Sequence, residues 1–412
     1  MRLPRVRAVV LLLLFVVLLG AGCSRTEGVP LEPLPSGSGG MELRLGPGVR
    51  AMSEGPGYKS SPAWSPDGSR LAFVVDGYVV DKPASGSVER RWTPLDFGAQ
   101  SVAWDSARSL NVSLRPDSNS DTASSEEGVK TTSLYSIPRP SGASADSREI
   151  SLLAEDVISS EQGSSAAGAL IATLSGSESV ISLVRGGVIS NTYPESASGF
   201  VTGISASPDR TKAVLSIRTS EAGEGDEYRL TLLDLVDGSY TDFVILQPGR
   251  HILGSPQWSS RGIYYLEGEE TGDSASAETT NRTYASQRIL LVQNGANGPY
   301  SRPAPGPGSG FTASGIRLSP DGEELAVIGR LRSDSPTNVY VLNLQSSELR
   351  SLTENEDMEI KNGPNDLAWS PDGESLAIVA RGISTTGLRV YPAQASALLE
   401  AFYNVYRVPV ER

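Results

Sequence analysis

The chain has 412 residues, a formal net charge of −13, one histidine and one cysteine. Such an acidic balance argues against nucleic acid as a partner and against adsorption to anionic lipid, because both need an excess of lysine and arginine. Zinc chemistry needs several histidine or cysteine ligands, and a single cysteine allows no disulfide within the chain. We therefore predict no cofactor, no metal site and no nucleic-acid partner.

The N-terminus has the pattern of a bacterial secretion signal. Three arginines lie within the first seven residues, and an uninterrupted apolar run follows over residues 8–19. This run is shorter than the roughly 20 residues that a membrane-spanning helix needs, which favours a signal peptide over residues 1–22. Small residues lead to Cys23, as in a lipoprotein signal, so we predict cleavage before Cys23 and lipidation of its sulfur. The alternative is an ordinary signal peptide with an incidental cysteine.

Residues 24–41, which follow the lipidated cysteine, are rich in proline, glycine and serine. We interpret residues 23–41 as a lipid-anchored, flexible tether. This organisation places the protein on the extracytoplasmic side of a bacterial cell membrane, held by a lipid.

A short phrase then recurs along the chain: a Ser-Pro-Asp-Gly turn, two further residues, then Leu-Ala and an apolar run. The clear copies begin at Ser65, Ser319 and Ser370, and Trp64 and Trp369 precede the first and the last. These turn residues are those that a type I turn favours, since proline presets φ and glycine relieves the exit. The phrase therefore predicts a tight turn between the first and second strands of a repeated antiparallel unit.

Degenerate copies fill the intervals, at Trp104, Ser165, Ser207 and Trp258. The seven starts are spaced by roughly 40 to 60 residues, close to the length of a four-stranded propeller blade. Further apolar segments follow each start, and the Asp-Gly pair at 237–238 is a hairpin signal between two of them.

These features predict an all-β fold, a β-propeller of four-stranded blades, over residues 42–412. We favour seven blades. Six is the alternative, because the start near Ser165 keeps the spacing of the repeat but not its turn residues.

The Trp-Ser-Pro-Asp-Gly-x-x-Leu-Ala phrase resembles the propeller repeat of TolB-like proteins, a relative of the WD repeat, and the resemblance covers most of the chain after the leader. It implies a β-propeller and often an extracytoplasmic location. A tethered propeller at a bacterial surface also resembles the C-terminal part of LpqB-type lipoproteins. Here, however, the propeller begins almost directly after the leader, without room for the extra N-terminal domain of that family.

The sequence does not contain a complete catalytic motif. A Ser-His-Asp triad would have to use His251, and no Gly-x-Ser-x-Gly elbow occurs. The segment 117–121 opens like a calcium-binding loop, but Thr122 and Gly128 stand where such a loop needs glycine and glutamate. We predict no catalytic residues and a protein that is not an enzyme but a binding or scaffold protein of the cell envelope. The alternative is a carboxylate-dependent hydrolase or lyase that uses the central channel.

Acidic residues concentrate in loops between the second and third strands of the predicted blades, which blade geometry places on one face. The candidates for partner binding there are Glu221, Glu224, Asp226, Glu227, Glu269, Glu270 and Asp273. One interpretation is a docking surface for a basic or cationic partner, either a protein or another component of the cell envelope. The other, which we favour, is loop charge that only increases solubility.

The tryptophans that recur at one place in the repeat are expected to pack between blades. These are Trp64, Trp104, Trp258 and Trp369. Trp92 breaks the pattern and is expected to form an exposed contact.

Ring closure needs a strand that joins the first and last blades. We predict that the segment 48–52 forms the outer strand of the last blade, beside residues 388–391. The alternative is closure by the C-terminal run 403–408.

Overall fold

The computed structural model describes residues 48–53, 57–85, 88–114, 131–139, 150–161, 168–193, 197–221, 225–270, 284–295, 298–354, 358–361, 365–382 and 403–410. Their regular structure is β throughout, with 29 strands in one compact unit over residues 43–412. Within the described ranges, no helix has the length and apolar character needed to cross a membrane. Cys23, the leader and the tether lie outside the described residues.

The strands form consecutive antiparallel units, which we number as blades 1 to 7. Blade 1 holds β2 (Lys59–Trp64), β3 (Arg70–Val75), β4 (Tyr78–Pro83) and β5 (Arg90–Arg91). Blade 2 holds β6 (Ala99–Ser106), β7 (Ser109–Leu114), β8 (Thr132–Pro138) and β9 (Ser151–Ser160). Blade 3 holds the end of β9, β10 (Ala169–Ser175), β11 (Glu178–Arg185) and β12 (Val188–Thr192), with the short β13 (Ala197–Ser198) beside β11.

The second half of the chain is more regular. Blade 4 holds β14 (Phe200–Ala206), β15 (Lys212–Glu221), β16 (Gly225–Asp234) and β17 (Tyr240–Ile245). Blade 5 holds β18 (Arg250–Ser259), β19 (Gly262–Glu270), β20 (Tyr284–Gly295) and β21 (Gly298–Pro303). Blade 6 holds β22 (Thr312–Leu318), β23 (Glu324–Arg330), β24 (Asn338–Asn343) and β25 (Leu349–Ser351). Blade 7 holds β26 (Met358–Ile360), β27 (Leu367–Trp369), β28 (Ser375–Gly382), β29 (Asn404–Pro409) and β1 (Arg50–Ala51).

Blades 2 and 3 are joined through one strand. The first part of β9 pairs with β8, up to Val157, while its last residues, to Ser160, pair with β10. The two blades therefore form a single eight-stranded sheet among the six sheets of the described residues. This arrangement is consistent with seven blades and explains why the repeat near Ser165 is the least regular in sequence.

The hydrophobic core is divided among the junctions between blades. The described residues form seven buried clusters, and each cluster joins one blade to the next around the ring. The smallest, Leu134, Val157, Ile171 and Val184, lies between blades 2 and 3. Each blade is thus buried on both faces, which is why its central strands are apolar at consecutive positions rather than at alternate ones.

The Leu-Ala pair of the repeat follows from this two-sided burial. Side chains alternate across a strand, so Leu71 packs in the cluster shared with blade 7 and Ala72 in the cluster shared with blade 2. Leu325 and Ala326 of blade 6 divide in the same way, with leucine toward the preceding blade and alanine toward the following one.

The repeated tryptophans occupy the space beside these alanines. Trp104 shares a cluster with Ala72, and Trp369 shares one with Ala326. Each tryptophan therefore packs against the blade before its own, as the sequence predicts.

Trp92 does not behave as expected from the sequence. Its side chain is fully buried and lies edge-on to Trp104, with the ring centroids 5.6 Å apart. The prediction of an exposed contact is wrong, because the short outer strand β5 ends at Arg91 and the chain then turns into the junction between blades 1 and 2.

The ring is closed by both ends of the chain within blade 7. The outermost strand is β1, in which Arg50 pairs with Arg407 and Ala51 with Tyr406 of β29. The N-terminal strand is therefore the outer strand, as predicted, but its neighbour is the C-terminal strand β29 and not residues 388–391. Those residues lie outside the described ranges. The strand that pairs with β28 there is β29, which belongs to the C-terminal run 403–408, the alternative closure.

Candidate functional site

A cavity of about 550 Å³ occupies the centre of the ring. Every blade contributes to its wall through its innermost strand or the residue that follows that strand. The cavity reaches the face that carries the Ser-Pro-Asp-Gly turns, where Pro66, Pro320 and Pro371 line it. Its volume lies within the range of small-molecule sites.

One repeat position supplies much of the wall. The residue two places before the first turn residue lines the cavity in six blades, as Ala63, Ala103, Ser205, Gln257, Arg317 and Ala368. The following residue is tryptophan in four of these blades and points toward the neighbouring blade, because successive side chains face opposite sides of a strand. This periodicity is a sequence signal for channel residues, and it lies two positions before the turn motif that identifies the blades.

Side chains of the innermost strands also join three pairs of neighbouring blades. Ser61 Oγ of blade 1 accepts a hydrogen bond from Val102 N at 3.1 Å. Ser205 Oγ of blade 4 accepts one from Trp258 N at 3.2 Å, and Gln257 Oε1 of blade 5 accepts one from Leu318 N at 2.9 Å. These bonds hold the strands that form the channel wall in register.

The tryptophan side chains contact the blade before their own, whereas the serine and glutamine side chains contact the blade after theirs. Trp104 Nε1 donates to Ala63 O, and Trp369 Nε1 donates to Arg317 O, both at 2.9 Å. Each bond joins an indole to the channel-lining residue of the preceding blade, so packing between blades and the geometry of the channel depend on the same side chains.

The turns at the channel mouth are rigid because their serine and aspartate side chains form hydrogen bonds within the turn, in addition to those of the backbone. In the first turn, Ser65 Oγ donates to Asp67 Oδ1 at 2.6 Å and accepts from Arg70 N at 2.9 Å. The hydrogen bond from Ser65 holds the pKa of Asp67 below its usual value. The same two bonds recur at Ser207, Ser319 and Ser370.

Two charged side chains, Glu161 and Arg317, are among the described residues that line the cavity. Glu161 follows β9 and forms an ion pair with Arg210, whose Nη2 lies 2.9 Å from Oε2. It also accepts hydrogen bonds from Leu170 N and Ala206 N. Glu161 therefore joins blade 3 to blade 4 as well as facing the cavity.

Arg317 lies in β22, on the wall formed by blade 6. Its Nε donates to Leu367 O at 3.3 Å. Burial lowers the pKa of the Arg317 guanidinium to about 10, so it keeps its charge at neutral pH.

The predicted acidic face is only partly described, and its described charges are largely paired. Asp226 lies 3.7 Å from Arg218, and Glu269 lies 3.2 Å from Arg250. Glu227 is exposed. Among the other candidates, Glu221 and Glu270 end their strands with side chains that are not described, and Glu224 and Asp273 lie outside the described residues.

Of these acids, Glu221, Asp226, Glu227, Glu269 and Glu270 lie at the ends of second or third strands of two neighbouring blades. The structure adds the arginines to this surface. Glu267, between Glu269 and the core, binds both Arg250 and Arg288, at 3.2 and 2.7 Å. The face thus carries both signs of charge in its described part, and its role as a docking surface stays a prediction.

His251, the single histidine, is buried, and its ring is tilted against that of Tyr228 with the two centroids 4.8 Å apart. Among the described side chains, no group of three or more histidine, cysteine, aspartate or glutamate residues could hold a metal ion. The calcium-like loop at 117–121 lies outside the described ranges.

Four-stranded blades, junctions packed on both sides and a lined central channel define the protein as a β-propeller. No protein-family model matches the chain. It is 27% identical over 143 residues to the Tol-Pal system protein TolB of Francisella tularensis subsp. tularensis (strain WY96-3418), over 35% of this chain and 29% of that protein. The chain therefore spans less than a third of the curated relatives that it matches.

One solved structure with a TM-score above 0.5 shares the propeller fold. The β-propeller domain of the Trilobed protease from Pyrococcus furiosus has a TM-score of 0.53 at 10% identity, over 87% of this chain and 97% of that one. A putative TolB from Agrobacterium tumefaciens gives 0.42 at 12% identity, over 88% and 94%. The tricorn protease gives 0.48 at 13% identity, over 79% and 33%. The protein is a β-propeller that is similar in part to TolB, as its repeat predicts, and the resemblance to LpqB-type lipoproteins stays a prediction.

The prediction that the protein is not an enzyme is contradicted by these likenesses. The propeller with the TM-score of 0.53 is a domain of a protease. Because the fold also occurs in enzymes, the lack of a catalytic motif in the repeats is no ground for that prediction.

Proposed function

We propose that the protein is a binding or scaffold propeller of the bacterial cell envelope, and that it takes up its ligand or a segment of its partner in the central channel. The observation that carries this proposal is the cavity of about 550 Å³, to which every blade contributes. Ligand sites in proteins are concave and combine apolar walls with a few fixed polar groups. The channel has this composition, with tryptophans and prolines beside serines, Gln257 and Arg317.

The bonds between blades support the channel as the site, since binding requires a wall that keeps its shape. Ser61, Ser205 and Gln257 each accept a hydrogen bond from a backbone N–H of the next blade, which links three pairs of neighbouring blades. Glu161 links a fourth pair, through its ion pair with Arg210 and its bond from Ala206 N. A preorganised wall of this kind lowers the ordering cost of binding. The acidic face offers less support, because two of its described carboxylates, those of Asp226 and Glu269, already have arginine partners.

The cellular location is part of the same proposal. The basic and apolar leader, the small residues before Cys23 and the TolB-like repeat support an extracytoplasmic protein held by a lipid. The relatives are named as components of the Tol-Pal system, which supports an envelope protein as partner.

Intact-mass analysis of the mature protein should find an acylated Cys23, and Cys23→Ser should release the protein from the detergent phase or leave it uncleaved. An unmodified cysteine would remove the anchor from the proposal.

Site-specific photo-crosslinking in cells tests the channel. A photoreactive amino acid is introduced at Ala103, in the channel wall, and in a control protein at Ile189, which is exposed on the outer strand β12. We expect the channel position to capture a defined ligand or envelope protein and the outer position to capture none. Capture from Ile189 alone, or equal capture from both, would place the binding surface elsewhere.

The second candidate function is a hydrolase or lyase that works in the channel, as the occurrence of this fold in enzymes suggests. Its chemistry would depend on Glu161, the carboxylate among the described lining residues. Incubation of the ligand captured in the channel with the wild-type protein and with Glu161→Gln separates the two functions. Turnover that the variant lacks supports the enzyme, whereas unchanged ligand in both supports the binding protein.

A further inference from the structure

The turn between the first two strands of blade 5 differs from the other turns on its face in charge and in length. Four other turns carry an aspartate at one position: Asp67, Asp209, Asp321 and Asp372. Arg261 stands at that position in blade 5. The pairing of β18 with β19 continues to Ser259 and Gly262, so two residues form this turn, whereas four separate the bonded Ser65 and Arg70 in blade 1. The blade 5 turn is therefore shorter and carries the opposite charge.

A second cavity, of about 400 Å³, lies beside this shorter turn, and we call it the blade 5 pocket. Phe243 lines it from the outer strand of blade 4, and Trp258, Ile263 and Val292 line it from blade 5. A shorter turn covers less of the junction between these two blades, which leaves the space open. Trp258 also lines the central channel, so the pocket adjoins the channel there.

The described part of the blade 5 pocket is electropositive. Arg261 is exposed and is the one charged side chain among the described residues that line the pocket. Its guanidinium forms no ion pair with a described carboxylate, whereas Arg250 and Arg288 of the same blade both bind Glu267. Asp242, the acid next to Phe243 in the chain, is paired with Arg229. The positive charge at the pocket is therefore not neutralised by these neighbouring acids.

A glutamine joins Arg261 to a second arginine. Gln293 Nε2 donates to Arg261 O, and Gln293 Oε1 accepts from Arg302 Nη2, both at 3.1 Å. Burial raises the pKa of the Tyr264 hydroxyl, and the charges of Arg261 and Arg302 oppose that rise. Both guanidinium groups thus act on the same region of blade 5.

The lining of the pocket combines a cation with aromatic surface. A guanidinium offers paired N–H donors that match the two oxygens of a carboxylate. The half-buried rings of Phe243 and Trp258 offer apolar contact to the part of a ligand next to its charge. One lining arginine matches one negative charge, which favours a carboxylate over a phosphate with nearly two.

We infer that the blade 5 pocket is a second binding site, which takes a carboxylate next to an aromatic or apolar group and binds the carboxylate through Arg261. This inference goes beyond the proposed function, because it concerns a site that shares only Trp258 with the described channel wall around Ala103 and Gln257. The carboxylate can belong to an acidic side chain of a peptide or to a small organic acid, since both present the same group to the guanidinium.

Pairs of probes that differ only in charge test the inference. Calorimetry measures binding of N-acetyl-Phe-Glu-amide and N-acetyl-Phe-Gln-amide to the mature protein, and phenylacetate and phenylacetamide form the second pair. We expect the acid to bind about 5- to 10-fold more tightly than its amide, between the ranges for an exposed ion pair and for a hydrogen bond to a charged group. A preference in the peptide pair alone identifies a peptide, and one in the small pair alone identifies an organic acid. Equal binding within both pairs would overturn the inference.

Variants then assign the preference to one side chain. Arg261→Gln should abolish it, and Arg261→Asp, which restores the residue of the repeat, should make each acid bind more weakly than its amide. Arg108→Gln is the matched control, because Arg108 is an exposed arginine in the turn of blade 2 and its loss changes the net charge equally. We expect this control to keep the preference.

A preference that survives in Arg261→Gln, or that Arg108→Gln also loses, would overturn the assignment to Arg261. If the Arg261 variants do not fold, the comparison of acid and amide with the wild-type protein still decides whether a carboxylate is bound. Crosslinking from Ala103 reports on the channel alone, so a failure of this inference is distinguishable from a failure of the proposed function.

Discussion

The backbone N–H of Val405 donates a hydrogen bond of 2.8 Å to Ser53 Oγ, across 352 positions of the chain. Next to it, Met52 N donates to Val405 O at 2.7 Å. These bonds continue the pairing of β1 with β29, so the two ends of the chain complete the same blade. Both residues are buried, which protects the closure from water.

Ser53→Ala should lower the stability of the whole ring. The substitution leaves the buried N–H of Val405 without this acceptor, which costs about 1–3 kcal/mol. Ser198→Ala, at an exposed position of β13, is the matched control and should change stability by less than about 0.5 kcal/mol. Urea denaturation measures both. Equal stability of Ser53→Ala and the wild-type protein would show that the N-terminal strand contributes little to closure.

Ala326→Leu should destabilise the junction between blades 6 and 7. Ala326 is fully buried in the cluster that contains Trp369, and added methyl groups there overpack the junction at about 1–3 kcal/mol. Ala103→Leu changes an alanine whose side chain faces the open channel, and it should cost less. Thermal denaturation of the two variants compares them. The opposite order would contradict the proposed division of each Leu-Ala pair between two neighbouring blades.

Trp92→Ala should be among the most destabilising substitutions in the protein. A fully buried tryptophan is replaced by a cavity, for an expected loss of about 3–5 kcal/mol. Val236→Ala, at a residue that is 83% exposed, should have no measurable effect. A Trp92→Ala protein as stable as the wild-type protein would restore the sequence-based expectation of an exposed side chain.

Arg210 has a left-handed backbone conformation, with φ of 55°, where the three clear copies of the turn have glycine. Both Arg210→Ala and Arg210→Gly lose the ion pair with Glu161, but only glycine adopts this conformation without strain. We expect the glycine variant to be more stable than the alanine variant by about 1 kcal/mol. Gly322→Ala, at the same place in the turn of blade 6, should lose a similar amount. Chemical denaturation of all three variants makes the comparison, and equal stability of the first two would contradict it.

Acid should weaken the turns at the channel mouth. The hydrogen bond from Ser65 lowers the pKa of Asp67, and that from Ser207 lowers the pKa of Asp209. Because both folded-state pKa values lie below those of the unfolded chain, the stabilisation is complete above the unfolded value of about 4 and is lost as the pH falls through the folded values. Denaturation midpoints of the wild-type protein and of a double Asp67→Asn, Asp209→Asn variant should therefore converge from pH 5 to pH 2. A constant difference over this range would show that the carboxylate charge is not involved.

The sequence alone was sufficient for features that depend on neighbouring residues. The turn that begins at Ser65 or Ser319 closes through bonds between side chains and backbone within six residues, so its residues predict it wherever they recur. The repeat also predicted the blades and the burial of its tryptophans, because two-sided packing demands apolar residues at regular spacing. The sequence also predicted that the N-terminal segment 48–52 forms the outer strand of the last blade.

Only the tertiary structure decided which residues meet across the ring. Glu161 and Arg317 face one cavity although they belong to blades 3 and 6, and no local pattern marks them as a pair. Burial of Trp92 depends on Trp104 of the following blade, and the place of β29 depends on its pairing with β28 and β1. These contacts depend on how the blades pack into a closed ring, because each side chain is then surrounded by strands that are distant in the chain. Local chemistry therefore determined the blade, and the closed packing of the blades determined the site.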